Sequence, residues 1–480
     1  MAVNESITNK SISGIKWSAI ERFGVQGIQF IISLILARIL SPSDYGIIGM
    51  LTIFMAISQT IIDSGFSKAL IQKQDRTETD FSTAFYFNIA VGIVCYIILF
   101  CLSPYIAEFF NEPILKDVLR VLAINIFINS LAIVPVAKLS INVDFKTQSK
   151  ASIISAVVSG ILGIVLAYRG IGVWALVVQS VSYSLINVVL LWYLLKWLPQ
   201  CVYSWESFKN LFGYGSNILF ASILHTIYTN FTTLAIGKFY SSKDLGFYTR
   251  GNQFPSILSL NITNILQRVT FPILSQIQND TDRLIAVYRE YIRVTSLGIF
   301  FLLSLLASLG KPLIIFLLTD KWAEAVIYLQ IFCFSLMFDH ICQINLNLLY
   351  VKGNTKYILR LEIIKKTISF IILLISIPFG VLAICISNVI YTQIAVYINT
   401  YYTGKFFKFG YVKQIKDFMP YLLISQIACI PCWILQATEI QPLLVLIVGG
   451  IISPIIYILI LYIKKDDILK KHIKRLKKYK

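Results

Sequence analysis

Apolar residues in this chain come in long runs rather than in short alternating ones. Stretches of the length that a bilayer core requires, about 20 helical residues, begin near Trp17, Asp44, Phe81, Leu115, Ala151, Ile171, Leu211, Gln253, Tyr291, Ala323, Tyr357, Gly380, Pro420 and Pro442. The pattern predicts an all-α polytopic membrane protein of about 14 transmembrane helices. The connections left over average roughly a dozen residues, too short for an extramembrane domain. The first 16 residues are polar, and the run after them is full length without a small-residue cleavage pattern, so it reads as an uncleaved first span.

Composition supports this class. Of 480 residues, 57% are hydrophobic and 14% charged, against roughly 45–50% and about 25% in soluble chains. The net charge of +18 would suggest nucleic acid in a soluble protein, but its placement argues otherwise. With the N-terminus in the cytoplasm, 32 of the 42 Lys and Arg fall in cytoplasmic segments, nine in outer ones, and Arg22 lies inside span 1. That asymmetry is the positive-inside signature of a multi-pass protein with both termini cytoplasmic. The basic segment from Lys464 to Lys480 lies beside anionic headgroups. No nucleic-acid partner is expected.

A shift of 200 residues brings Ala37–Gly46 over Gly237–Gly246 without a gap, with Ser41 over Ser241, Asp44 over Asp244 and Gly46 over Gly246; Phe54 over Phe254, Ile57 over Ile257 and Lys68 over Arg268 continue the register. Both copies follow the first span of a six-span block, the mark of a parallel repeat. Two pseudo-symmetric six-helix lobes are therefore expected, residues 1–200 (spans 1 to 6) and 201–405 (spans 7 to 12), with spans 13 and 14 and a basic tail in 406–480. Asp44 and Asp244 read as helix caps.

Polar side chains recur on single helical faces inside the apolar runs: Ser18, Arg22, Gln26, Gln29 and Ser33 in span 1; Ser222, His225, Thr229 and Thr232 in span 7; Asn261, Asn264, Gln267 and Arg268 in span 8; Arg289, Arg293 and Ser296 entering span 9; Asp339, His340, Gln343 and Asn347 in span 10; and Asp63 in span 2. Together they suit a polar cleft between the lobes, entered from the positively charged side. Each also has a plainer reading: amides staple helices, Glu21 pairs with Arg22 at the interface, His225 is a satisfied bundle histidine, and Asp63 reaches the membrane surface. The eight cysteines, including Cys429-x-x-Cys432, read as packing residues, with no metal site, no cofactor and no catalytic constellation.

Trp17-Ser-Ala-Ile-Glu-Arg-Phe-Gly-Val-Gln26, Leu36-Ala-Arg-Ile-Leu-Ser-Pro-Ser-Asp-Tyr-Gly46, Asp63-Ser-Gly-Phe-Ser-Lys-Ala-Leu-Ile-Gln72, Gly172-Val-Trp-Ala-Leu-Val-Val-Gln179, Ile236-Gly-Lys238 and Phe271-Pro-Ile-Leu-Ser-Gln-Ile-Gln278 resemble, in order and spacing, the polysaccharide transporter family. These are the lipopolysaccharide, O-antigen and teichuronic-acid type flippases of the multidrug/oligosaccharidyl-lipid/polysaccharide exporter superfamily. The likeness runs from about residue 10 to about residue 400. It implies alternating access and export of a polyprenyl-diphosphate-linked glycan across a bacterial inner membrane for surface polysaccharide. On that reading Arg22, Arg289 and Arg293 meet the diphosphate, since arginine geometry suits phosphate. Gln26, Gln29, His225, Asn264, Arg268, Gln343 and Asn347 meet substrate, and Glu21, Asp63 and Asp339 are candidates for coupling to H+ or Na+. Expected partners are the lipid-linked glycan, membrane lipid, and polysaccharide polymerase and glycosyltransferases. The alternatives are a cation-coupled multidrug exporter, which the basic entrance disfavours, and a peptidoglycan-precursor flippase. An enzyme is not expected, because the longest outer connections are about a dozen residues.

Overall fold

A bilayer offers no water to backbone polar groups, so a spanning chain must satisfy them within itself, and helices do this locally. The computed structural model describes residues 2–470 apart from Ser64, Asn354 and Glu439, with side chains from Lys16 onward except those of residues 214, 217, 264, 265, 268 and 355. The described chain is helical throughout, in two compact units, residues 1–246 and 247–480. The first holds α1 (Ala2–Ile39), α2 (Pro42–Asp63), α3 (Phe66–Gln72), α4 (Glu78–Phe110), α5 (Leu115–Leu122), α6 (Ile124–Ser130), α7 (Ile133–Ile141), α8 (Phe145–Tyr168), α9 (Trp174–Leu195), α10 (Trp205–Phe239) and the first turn of α11 (Ser242–Gln276). The second holds the rest of α11 and α12 (Thr281–Ser308), α13 (Gly310–Leu318), α14 (Ala325–Leu336), α15 (Asp339–Val351), α16 (Thr355–Ser376), α17 (Val381–Phe407), α18 (Tyr411–Gln436) and α19 (Pro442–Ile463). The sequence repeat divides the chain near residue 200, whereas α10 packs on α2, α3 and α4 within the first unit.

Among the described residues, twelve stretches are long and apolar enough to cross a membrane, and the chain is a multi-pass membrane protein. The other two expected spans are also helical: α11 at residues 242–276 and α16 at 355–376. Both are more polar, and α16 carries Lys356, Arg360, Glu362, Lys365 and Lys366 among its first 12 residues. Besides Pro42–Gln72, which divides into α2 and α3, two apolar stretches are broken at matching places. Residues 115–141 form α5, α6 and α7, and residues 325–351 form α14 and α15, with the break immediately before Asp339. These are the fourth and tenth expected spans, the same place in each six-span block.

Helix starts are fixed by side chains. Thr77 accepts from the Asp80 amide while Asp80 accepts from the Thr77 amide at the start of α4, a reciprocal capping box. Asp144, Ser204 and Asp280 cap α8, α10 and α12. The first unit's core gathers Phe66, Phe81, Phe85, Val134 and Leu211, with Phe66 stacked on Phe87 at 4.8 Å between ring centres.

The repeated turns are alike at atomic detail. The Asp44 carboxylate accepts from the Ser41 amide (2.8 Å) and hydroxyl (2.7 Å). Asp244 accepts from the Ser241 amide (3.3 Å) and hydroxyl (2.6 Å). Each turn also holds a glycine against the other's backbone: a Cβ on Gly46 would lie 1.7 Å from the Ser242 carbonyl oxygen, and one on Gly246 would lie 1.9 Å from that of Pro42. Glycine at the fourth position after the Pro/Ser start of each helix is what lets the two first turns cross.

Candidate functional site

A break in the second apolar stretch opens onto a cavity in the first unit. α2 ends at Asp63, and the chain turns through Gly65, whose φ of 72° is the left-handed region that glycine enters without steric cost. A Cβ there would lie 2.7 Å from the Gly215 Cα, so α10 passes too closely for a side chain. α3 then restarts with Phe66, fully buried, as its anchor. The result is a cavity of about 540 Å³, lined by Gln59, Thr60 and Asp63 of α2, Ser67 and Lys68 of α3, Asn129 of α6, apolar residues of α7, and Ser222 of α10. This lies in the usual range of ligand sites.

Its polar groups form a directed chain. Asn129 Nδ2 donates to Gln59 Oε1 (3.1 Å), and Gln59 Nε2 donates to Asp63 Oδ1 (3.3 Å). The Thr60 hydroxyl meets that of Thr226 on α10 at 3.1 Å. Asp63 and Lys68 face the same cavity without forming an ion pair with each other or with any other described residue. A carboxylate, an ammonium, amides and hydroxyls around one space inside apolar helices can exchange water for a polar, charged solute.

In the second unit the polar residues are largely engaged with one another. Arg289 makes a bidentate pair with Asp417 of α18, both bonds 2.8 Å, and its guanidinium lies 4.9 Å from the Phe409 ring centre. Arg293 donates to the Tyr421 hydroxyl (3.4 Å), which donates to Asp466 (2.8 Å). Gln267 donates to Gln343 (2.7 Å), and Asn347 donates to the Thr270 hydroxyl (2.8 Å). The Asp339 carboxylate accepts from Ser259 at 3.5 Å, and His340 meets Ser296 at 2.9 Å.

Among the polar residues singled out from the sequence, Asp63 and Ser222 line the first unit's cavity. Arg22, Gln29 and His225 are exposed and Gln26 is half-buried, and Arg22 makes no ion pair among the described residues. Glu21 accepts from the Ser152 hydroxyl of α8 at 3.2 Å. The side chains of Asn264 and Arg268 lie outside those the structure describes. Sequence reasoning missed Gln59, Thr60, Lys68 and Asn129 as site residues. Lys68 carried one signal, its register with Arg268; Gln59 and Asp63 are four apart and share a helical face. Asn129 had none, because its position depends on the break between α6 and α7. Among the described residues no group of three metal-ligating side chains comes together.

A family model described as "Polysaccharide biosynthesis protein" matches residues 35–327, more than half of the chain and the whole of the cavity lining. The chain belongs to this family. Curated relatives of this polysaccharide biosynthesis protein include the teichuronic acid biosynthesis protein TuaB of Bacillus subtilis, 28% identical over 72% of each chain. They also include the succinoglycan biosynthesis transport protein ExoT of Rhizobium meliloti (24% identical over 65% of this chain and 63% of ExoT) and the lipopolysaccharide biosynthesis protein WzxC of Escherichia coli (23%; 68% and 67%). Among solved structures, the fold matches a lipid II flippase MurJ in an inward closed conformation, with a TM-score of 0.71 at 15% identity over 93% of this chain and 99% of that one. An inward-facing multidrug resistance MATE family transporter matches with a TM-score of 0.59 at 15% identity over 85% and 98%. These likenesses establish for this family member a polytopic helical fold shared with transporters.

Proposed function

We propose that this protein carries a polyprenyl-diphosphate-linked oligosaccharide across the bacterial inner membrane for surface polysaccharide synthesis, by alternating access. The observation that carries this reading is the first unit's cavity, where Lys68 and Asp63 stand unpaired among amides and hydroxyls inside apolar helices of a polysaccharide biosynthesis protein. Moving a glycan diphosphate through hydrocarbon exposes charge and many hydroxyls to an apolar medium, at a cost of many kcal/mol. Lys68 supplies a counter-charge for a phosphate, and Gln59, Asn129, Thr60 and Ser222 replace the water around sugar hydroxyls, while the polyprenyl chain stays in lipid. With both termini in the cytoplasm, α2 descends toward the cytoplasmic face and the cavity lies at the loading side. On this reading the substrate leaves chemically unchanged, so the protein is a transporter and not an enzyme. TuaB, ExoT and WzxC support the substrate class, since their names place them in the synthesis or transport of three different surface glycans.

Replacing Lys68 with Ala is expected to abolish glycan export in cells while the protein remains in the membrane at normal abundance, with the lipid-linked unit accumulating inside; Lys68→Arg retains export. Full export by Lys68→Ala would remove this cavity from the transport path. Asp63 is the coupling candidate: Asp63→Asn in vesicles is expected to make transport indifferent to imposed H+ and Na+ gradients. Wild-type transport that ignores both gradients would end the coupling role.

A further inference from the structure

The turn joining α17 to α18 builds a second charged cavity, far in sequence from Lys68 and Asp63. It encloses about 360 Å³ and is lined by Lys408 in the turn, Lys413 and Lys416 on α18, and Arg289 on α12, over a floor that includes Phe409. Arg289 is neutralised by its bidentate pair with Asp417. None of the three lysines forms an ion pair among the described residues, which leaves an uncompensated charge of +3 around one cavity.

The turn is held rigidly. Gln414, fully buried, donates to the Phe409 carbonyl (3.1 Å) and the Thr403 hydroxyl (3.2 Å), and takes part in a network with Asn345, which accepts from Tyr288 at 2.8 Å. Gly404 and Gly410 approach so closely that a Cβ on Gly404 would lie 2.9 Å from the Gly410 Cα. Lys408 occupies the left-handed region at φ 56°, uncommon for a residue with a side chain. Lys413 Nζ donates to the Lys408 carbonyl at 2.8 Å, which fixes its ammonium beside the cavity. Cations fixed in this way lose little entropy when an anion arrives.

The cavity sits where three apolar stretches end: Val381–Phe407 finishes there, Tyr411–Gln436 begins there, and Arg289 is in the first turns of Thr281–Ser308. It therefore lies at a membrane face. Val412, 67% exposed, and Tyr401, 57% exposed, add apolar surface on the two helices that meet at this turn. A free phosphate would use the charges and leave that surface unused; a phospholipid uses both.

We propose that this cavity binds the phosphate headgroup of an anionic membrane lipid, with its acyl chains along α17 and α18. Basic pockets of this kind between helix ends suit such headgroups, and the proposal stands whether or not the chain transports glycan, because its readout is lipid retention.

The test is native mass spectrometry of the full-length protein titrated with cardiolipin, phosphatidylglycerol, phosphatidylcholine or inorganic pyrophosphate. Wild-type protein is expected to retain the two anionic lipids and not phosphatidylcholine. Lys408→Gln/Lys413→Gln/Lys416→Gln should weaken that retention about a hundredfold. The charge-matched control Lys464→Gln/Lys465→Gln/Lys470→Gln, in exposed tail positions, should change it by less than about threefold. Should the triple glutamine variant unfold, the milder Lys413→Gln/Lys416→Gln pair still predicts about a tenfold loss, and the triple arginine variant predicts wild-type retention. Equal losses in the cavity and tail variants would overturn the proposal by making the attraction diffuse. Pyrophosphate held as tightly as the anionic lipids would overturn the lipid assignment.

Discussion

The segment α2–α3 and helix α11 are two copies of one repeat element, and they part company after about 20 residues. Through the first turn they are nearly interchangeable, each with a Ser-x-x-Asp cap and a glycine pressed against the other copy's backbone. At the next landmark the first copy reads Asp63-Ser-Gly65 and breaks, while the second reads Thr263-Asn-Ile265 and continues as helix to Gln276. A left-handed turn that glycine permits is one that β-branched isoleucine resists. One residue type thus separates a copy that opens a polar cavity from a copy that runs on as a rod. Shared geometry sits where the repeat needs packing, and divergence sits where one half carries a site.

The sharpest way to break the common part is to add one methyl group. Gly46→Ala and Gly246→Ala would each drive a Cβ into a backbone carbonyl that has no flexible end to move aside. Each is expected to cost more than about 4 kcal/mol and to leave little folded protein on size-exclusion chromatography. The two should be equally severe. If either variant is monodisperse with an unchanged melting temperature, the crossing of the two turns is misplaced.

The divergent part gives a smaller effect with a built-in reference. Gly65→Ala combines positive φ with a contact to the Gly215 backbone and should cost about 2–4 kcal/mol. Gly170→Ala shares the positive φ (76°) but meets nothing within 4 Å, so it should cost about 1 kcal/mol. Thermal melts in detergent rank the pair; equal costs would mean that α10 does not approach the break.

A cation in the second unit behaves differently from Lys68. Arg289 is held by Asp417, so Asp417→Asn removes a charge from a site where the arginine is half exposed to solvent. The expected loss is about 1–2 kcal/mol in a thermal melt, with Lys68→Ala near zero by the same measure because it removes no bond. A larger loss for Lys68→Ala would show that it is a structural residue.

This contrast also explains how much was legible in the sequence. Long apolar runs, the 200-residue repeat and the Asp44 and Asp244 caps could be read directly, because each depends on composition or on residues within one turn. The polar stripe put Arg289 and Arg293 on one face of α12, but a stripe does not name its partner. Asp417 lies 128 residues from Arg289 in sequence, and only the packing of α12 on α18 brings them together. Asn129 reaches the first cavity for a similar reason: the apolar stretch 115–141 reads as one span, and its division into three helices follows from tertiary packing that no local pattern announces. Gly65 was within a motif already noted, yet its role depends on Gly215 across the unit.

The smallest effect examines whether the two copies are equal where they look equal. Asp44→Ala and Asp244→Ala each delete a carboxylate that accepts from a serine amide and hydroxyl, and leave the Ser41 or Ser241 amide, just before α2 or α11, without that acceptor. An N-terminal cap contributes typically about 1 kcal/mol. The Ser41 amide bond is shorter than its Ser241 counterpart, 2.8 Å against 3.3 Å, so Asp44→Ala should be the costlier by a few tenths of a kcal/mol. Because the two carboxylates are far apart in sequence but their turns touch, the double variant is informative. Two independent caps give additive losses, whereas turns that brace each other through Gly46 and Gly246 give a double-variant cost that departs from the sum by about 0.5 kcal/mol or more. Additivity in chemical denaturation would reduce the crossing to a steric contact; a departure would make the two repeat copies a single cooperative joint.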